Sequence, residues 1–196
     1  MRILLIGRGF IGAAVEKELS SRHEVIALTR NSEPSLDFTD EGAVRNFFES
    51  QPKFDAVISC VGHVPFGGFN VLEASDYLKG FEGKILPQVN LTRIATDFLA
   101  DSGSITLTTG ILARYPIVGG TVASMANGAV ESFVLAAAPV LPRGLRLNAV
   151  SPSLLEENKA VYSAFPGVVP VSSHRVAMAY AQSVEGIQTG QIYKVD

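Results

Sequence analysis

The chain has 196 residues, of which 47% are hydrophobic and 18% charged, with a net charge of −3. This balance excludes a disordered chain, and the lack of a Lys/Arg cluster argues against a nucleic-acid surface. The single cysteine, Cys60, excludes intramolecular disulfides and cysteine-based zinc sites. Because the apolar runs are too short for a signal peptide or a membrane span, we expect a cytoplasmic protein with no membrane contact and no metal site.

The first predicted strand, Ile3–Ile6, leads directly into a glycine turn and a helix near Ile11–Ser21. In such a unit the first glycine permits a tight turn, the second lets the backbone approach a pyrophosphate, and the third lets helix and strand pack closely. The free N–H groups of the new helix then face the phosphates. A purely structural turn is the alternative. The predicted nucleotide-binding residues are Gly7, Arg8, Gly9, Phe10, Ile11 and Gly12.

Beyond this turn, apolar strand-like runs alternate with helical periodicity. Alternation of this kind predicts one α/β domain over residues 1–196, a doubly wound parallel sheet (Rossmann fold) with helices on both faces. The further predicted strands are Val25–Thr29, a short one near Leu36, Ala56–Cys60, Ser104–Thr108, Arg146–Val150 and Gln191–Val195. The further predicted helices lie near Glu41–Ser50, Leu72–Leu78, Gly83–Ala100, Thr121–Val140 and Ser173–Val184.

The end of the second predicted strand, Thr29 and Arg30, indicates which dinucleotide would bind. An acidic residue there binds the ribose of NAD, whereas a basic residue pairs with the 2′-phosphate of NADP. Arg30, with Arg8 in the glycine turn, therefore favours NADP over NAD; a solvated surface side chain is the alternative for either arginine. Asp37 either accepts from the adenine amino group or serves as a turn or capping residue.

The order of motifs resembles the short-chain dehydrogenase/reductase family over nearly the whole chain. The matching segments are the glycine turn, DFTD at 37–40, SCVG at 59–62 where the family keeps Asn-Ala-Gly, SITLTT at 104–109, RLNAVSP at 146–152 and TGQIYKVD at 189–196. The resemblance implies hydride transfer between a nicotinamide and a small carbonyl or alcohol. It also implies cofactor contacts from Thr29, Phe38, Cys60, Val61, Gly62 and Pro152, although Ser153 replaces the usual glycine after that proline.

The tyrosine acid of this family, and the lysine four residues later that lowers its pKa, are missing. Alignment puts Thr121 and Met125 at those two positions, and Thr108 or Thr109 at the position of the family's serine. An aliphatic hydroxyl is far too weak an acid to replace a phenol, and methionine supplies no cation. Because Met125 also fits an apolar helical stripe, we expect it to pack in the core.

Two other side chains are candidate proton donors. Lys84 aligns with the family's asparagine, where partial burial beside a nicotinamide would lower its pKa; a solvated helix lysine is the alternative. Tyr115 either leans over the substrate or packs against its neighbours. We expect His63 to be an exposed, neutral loop residue and Cys60 to pack as a small hydrophobe.

Two functions are left open by these residues. One is an NADP(H)-dependent oxidoreductase acting on a small molecule with atypical acid catalysis, favoured by the retained hydroxyls of Thr108 and Thr109. The other is a non-catalytic NADP(H)-binding sensor, favoured by Thr121 and Met125. Small residues on the helix Thr121–Val140, which pairs with its symmetry mate in the resembling family, predict a homodimer or homotetramer.

Overall fold

The computed structural model describes residues 1–196 and contains one sheet of parallel strands. The strands are β1 (Arg2–Ile6), β2 (Glu24–Leu28), β3 (Ala56–Ser59), β4 (Ser104–Thr108), β5 (Arg146–Pro152) and β6 (Ile192–Val195). They lie in the order β2-β1-β3-β4-β5-β6, and every neighbouring pair is parallel. The predicted doubly wound α/β fold is therefore confirmed.

Six α-helices connect the strands and cover both faces of the sheet. They are α1 (Phe10–Leu19), α2 (Glu41–Glu49), α3 (Ala74–Gly80), α4 (Leu86–Phe98), α5 (Thr121–Ala137) and α6 (Ser173–Glu185). Helices α1 and α6 cover one face, where Val15, Val176 and Tyr180 pack against Ile3 and Leu5. Helices α2, α4 and α5 supply the apolar core of the other face. Burial on both faces explains why the central strands read as continuous apolar runs.

The strand order reverses at β1, because the chain first winds outward to β2 and then returns to β3 on the other side. At such a switch point the loops at the carboxyl ends of neighbouring strands separate and leave a crevice, which is the usual ligand position in open α/β sheets. The fold therefore places a ligand site at the ends of β1, β2 and β3.

Two predicted elements differ from the structure. No strand forms near Leu36: this residue is buried, but its N–H donates to the carbonyl of Thr29 at 2.9 Å as part of a loop. The helix predicted over Gly83–Ala100 begins instead with a π-helical turn, Phe81–Ile85, which continues α3 and leads into α4. A π turn inserts an extra residue into the helix, and such turns are common at functional sites.

The segment Thr121–Val140 has the length and composition of a membrane span, with a mean hydropathy of 1.2. No membrane span is predicted from the sequence, so this segment differs from that prediction in length and composition. In this fold Val122, Ala126, Val130 and Val134 are fully buried and form the inner face of α5. The apolar composition of the helix is thus accounted for by packing on the sheet.

Candidate active site

A cleft of about 680 Å³ opens at the switch point. It is bordered by the glycine turn after β1, the loop after β2 and the loop after β3. The predicted cofactor residues that line it are Gly7, Arg8, Gly9, Thr29, Arg30, Asp37, Phe38, Cys60, Val61 and Gly62; Asn31, Thr39, His63 and Gly83 also line it. Phe10, Ile11, Gly12 and Pro152 do not. The structure thus brings ten of the fourteen predicted residues together in one cleft.

The glycine turn has the close packing that its sequence predicts. Gly7 has φ of +99°, and a Cβ built there would lie 2.5 Å from Cγ1 of Val61. A Cβ built on Gly12 would lie 2.0 Å from the carbonyl oxygen of Gly7, so only glycine lets α1 approach the turn. At Gly9 a Cβ would meet nothing within 4 Å, because this residue faces open space. The turn therefore leaves room for a ligand at its second glycine.

Helix α1 begins beside this open space. Gly9 is its N-cap, no side chain caps its first N–H groups, and its first turn contains no acidic residue. Phe10 and Ile11 form the first turn of this helix, and Phe10 lines a different pocket. Uncapped N–H groups and the positive end of the helix dipole suit an anion such as a pyrophosphate.

Two arginines flank the cleft. Arg8 is exposed, and its Nε donates to Oε2 of Glu16 at 2.7 Å. Arg30 is exposed and close enough to Asp37 to help lower the pKa of that carboxyl group. The main cause of the lowered pKa is local, because Oδ1 of Asp37 accepts from the hydroxyl of Thr39 at 2.7 Å and from its N–H at 3.0 Å. Asp37 is therefore a turn residue, as one of its two predicted roles requires.

The loop after β3 forms the inner wall of the cleft. Cys60 is half-buried, and desolvation raises the pKa of its thiol to about 12. Gly62 has φ of +145°, and a Cβ built there would lie 2.9 Å from Cγ of Lys84. The aliphatic part of Lys84 therefore lies directly behind the backbone of Gly62. His63 is exposed and lines the same wall.

Lys84 projects from the π-helical turn towards the end of β4. Its Nζ donates to the backbone carbonyl of Thr109 at 3.5 Å and has no other hydrogen-bond partner. Burial lowers the pKa of this ammonium group to about 8, while the nearby carboxylate of Glu131 opposes the shift. Lys84 is therefore half-buried, with a lowered pKa, and is not a fully solvated helix lysine.

Thr109, one of the two serine-position candidates, lies beside Lys84. Its hydroxyl donates to Oε1 of Glu131 at 2.9 Å. Ser151, at the end of β5, donates to the same oxygen at 3.0 Å. Glu131 and Ser151 were not identified from the sequence, because nothing in a helix or strand pattern indicates that their side chains meet.

Thr108, the other candidate, points to the opposite face of the sheet. Its hydroxyl bonds to the carbonyl of Ser59 and lies 2.5 Å from the hydroxyl of Tyr180 in α6. Successive strand residues face opposite sides, so Thr108 and Thr109 cannot both reach the site. The structure brings Thr109 to Lys84 and leaves Thr108 in the packing beneath α6.

The two positions on α5 that replace the family's acid pair also lie apart from Lys84. Thr121 accepts or donates a 3.3 Å hydrogen bond with the hydroxyl of Tyr77 in α3. Met125 is 40% exposed, so its predicted place in the core is wrong: it lies on the outer side of the apolar stripe. The face of α5 that meets the end of β4 instead carries Ala123, Asn127 and Glu131.

Asn127, on this inner face, is a buried polar residue with an unsatisfied oxygen atom. It is buried, its Oδ1 has no hydrogen-bond partner, and its Nδ2 would lie 3.3 Å from a Cβ built on Gly110. Ala123 lies four residues earlier and packs against Ile111 and Leu112. Neither residue is tyrosine or lysine, so the acid pair is missing from the inner face of α5 as well.

Tyr115 lies in a second, smaller pocket. Tyr115 is exposed and lines a pocket of about 360 Å³ with Ile111, Ser153 and Asp196. Ile111 follows the Thr109-Gly110 turn, so this pocket lies close in the chain to the residues around Lys84. Pro152 is buried at the end of β5, where it pairs with Val195, and lines neither space.

Comparison with known proteins decides the family. The family model described as Enoyl-(Acyl carrier protein) reductase matches residues 12–193. The chain belongs to the short-chain dehydrogenase/reductase family. Members of this family are oxidoreductases that bind a nicotinamide cofactor and small-molecule substrates, and they are commonly oligomeric. No curated protein sequence matches the chain.

The chain is also similar to solved structures over its whole length. The protein lin1944 from Listeria innocua is 41% identical, with both chains covered completely and a TM-score of 0.97. A small-chain dehydrogenase in complex with NADPH is 27% identical over 100% of this chain and 96% of the other, with a TM-score of 0.88. Another small-chain dehydrogenase is 29% identical with the same coverage and a TM-score of 0.86.

Proposed function

We propose that the protein is an NADP(H)-dependent oxidoreductase that reduces a small carbonyl compound, with Lys84 as the proton donor. One observation carries the proposal: the aliphatic stem of Lys84 lies behind Gly62, which lines the cleft, and its ammonium group, whose pKa is lowered to about 8, reaches the carbonyl of Thr109 at 3.5 Å. A general acid works best when its pKa lies near the working pH, and an ordinary lysine at about 10.4 is too weak.

The residues of the cleft fit a phosphorylated dinucleotide. The first turn of α1 would hold the pyrophosphate, and Arg30 with Arg8 would pair with a 2′-phosphate. Because Arg8 already donates to Glu16, we expect Arg30 to contribute more of the binding energy for this phosphate. The small-chain dehydrogenase that binds NADPH supports the same choice of cofactor. Bound NADPH would supply the hydride; the chain has to bind it, exclude water and supply the proton.

Lys84 has the hydrogen-bonding capacity for this role. An ammonium group donates three hydrogen bonds, and the carbonyl of Thr109 accepts only one of them. The remaining N–H bonds are available to a substrate oxygen, directly or through a water molecule. After donation, the neutral amine is stabilised by the same burial that lowers its pKa.

A non-catalytic NADP(H) sensor is the second candidate function. It is favoured by the residues on α5, where neither Thr121 and Met125 nor Ala123 and Asn127 supply a phenol beside a cation. The two functions share the cofactor cleft and differ in whether Lys84 donates a proton to a substrate.

Spectrophotometry of NADPH oxidation, over a panel of small aldehydes and ketones, tests the proposal. We expect slow turnover by the wild type and turnover slower by about 10²–10⁴-fold in Lys84→Met, with calorimetry showing that both bind NADPH. NADPH binding without any turnover would favour the sensor. Equal turnover by wild type and Lys84→Met would contradict the role of Lys84.

A further inference from the structure

The carboxylate of Glu131 is held in place by hydroxyl groups from two strand ends. Thr109 donates to its Oε1 at 2.9 Å and Ser151 donates to the same atom at 3.0 Å. The side chain of Glu131 is only half-buried, so it is in contact with both the protein interior and its surface. Two hydroxyl donors on one oxygen are the arrangement that an ionised carboxylate accepts well.

Arg114 fixes the direction of one of these hydrogen bonds. Its Nη1 donates to Oγ of Ser151 at 2.7 Å, and its Nη2 bonds to Asp196. A guanidinium group can only donate, so the single hydroxyl hydrogen of Ser151 is left for Glu131. The carboxylate thus sits at the end of a chain of oriented hydrogen bonds.

Lys84 meets this arrangement through Thr109. The carbonyl of Thr109 accepts from Nζ of Lys84 at 3.5 Å, while the hydroxyl of the same residue donates to Glu131. Thr109 therefore links the half-buried ammonium group of Lys84 to the carboxylate of Glu131. We propose that Glu131 is a positioning residue that holds the ammonium group of Lys84 at the end of β4 and balances its charge. This inference rests on the proposed role of Lys84 as the proton donor.

No other side chain near Lys84 is placed to balance its charge. On α3, Asp76 pairs with Lys79 at 2.8 Å and the phenol of Tyr77 bonds to Thr121. His63 is exposed in the cleft, and Glu82 is exposed on the same π-helical turn. Arg114 is a cation and is bound to Ser151 and Asp196. Without Glu131, burial alone would act on Lys84 and drive it towards the neutral amine.

A nuclear magnetic resonance titration of Lys84 in the cofactor-free protein tests the inference without relying on turnover. The Lys84 side-chain signal is assigned by its loss in Lys84→Met. In Glu131→Gln we expect the pKa of Lys84 to fall by roughly 0.5–1 pH unit, because a nearby opposite charge has been removed. The matched control is Glu82→Gln, an exposed carboxylate two residues from Lys84, for which we expect no resolved change.

Glu131→Asp keeps the charge but shortens the side chain, so we expect a pKa between those of the wild type and Glu131→Gln. If Glu131→Gln does not fold, the titration of Glu131→Asp tests the inference in its place. Equal titration curves for the wild type and Glu131→Asp, or for Glu131→Gln and Glu82→Gln, would overturn the inference. If the wild type shows no turnover but Glu131→Gln shifts the titration, the positioning of Lys84 stands and only its catalytic use fails.

Discussion

The ammonium group of Lys84 lies 3.5 Å from the backbone carbonyl oxygen of Thr109. This contact joins the π-helical turn to the end of β4, and the lysine stem fills the space behind Gly62. A cation is thereby held in a poorly hydrated position between the cofactor cleft and the end of the sheet. Buried ionisable groups of this kind usually reduce stability and are common at functional sites.

Lys84→Met is therefore expected to stabilise the protein at neutral pH. Folding lowers the pKa of Lys84 from 10.5 to about 8, so between these values the unfolded chain binds more protons and the free energy of unfolding rises with pH. The destabilisation is fully present below pH 8, and its upper bound is about 3 kcal/mol. We expect a gain of about 1–3 kcal/mol at pH 7 that shrinks towards pH 10.5.

Denaturant unfolding at several pH values measures this gain. Lys79→Met is the matched control, since Lys79 is exposed on α3 and pairs with Asp76. Two results would contradict the claim that Lys84 is a destabilising cation: a Lys84→Met protein less stable than the wild type at pH 7, or a gain in stability that does not depend on pH.

Arg30 is expected to select NADPH. A charge-assisted hydrogen bond contributes about 1.5–3 kcal/mol, which is roughly tenfold or more in affinity. Calorimetry should therefore show tighter binding of NADPH than of NADH, and Arg30→Ala should abolish the difference. Arg8→Ala should lose less of the preference for NADPH, because the guanidinium group of Arg8 already donates to Glu16. Arg93→Ala, an exposed arginine on α4, is the control. Equal affinity of the wild type for the two cofactors would contradict the 2′-phosphate site.

Helix α5 is expected to form the contact between subunits. Its outer face exposes Met125 and Leu135, the latter 57% exposed, beside small residues that allow close approach. Light scattering at micromolar concentration should give at least twice 20.8 kDa, and Leu135→Asp should lower the mass towards one chain. Ile187→Asp, at an exposed apolar residue outside α5, is the control. A wild-type mass of 20.8 kDa would contradict this assembly.

The sequence predicted the sheet and most of the residues that line the cleft because both depend on local patterns. The glycine turn needs Gly7 and Gly12 at fixed spacing, and the buried strands appear as apolar runs. The strand predicted near Leu36 does not form, although the apolar side chain of this residue is buried as the local pattern predicts. Leu36 lies in a loop, and its N–H donates to the carbonyl of Thr29. Apolar character predicts burial more reliably than it predicts strand pairing.

The residues around Lys84 were harder to predict because they come from separate elements. Glu131, Ser151 and Arg114 are distant in the chain and meet only in the folded protein. Met125 is predicted from helical spacing to lie in the core, yet the inner face of α5 runs through Ala123 and Asn127, which lie two residues before and two residues after it. An apolar stripe on a largely apolar helix does not define its orientation.

The pH dependence of NADPH oxidation, compared between the wild type and Lys84→Met, tests the central claim most directly. Carbonyl reduction needs the protonated lysine, so kcat/KM of the wild type should fall as pH rises through about 8, whereas alcohol oxidation should rise through the same value. Lys84→Met should reduce the rate by about 10²–10⁴-fold and remove this pH dependence. A Lys84→Met variant that keeps the wild-type rate and pH profile would show that another group supplies the proton.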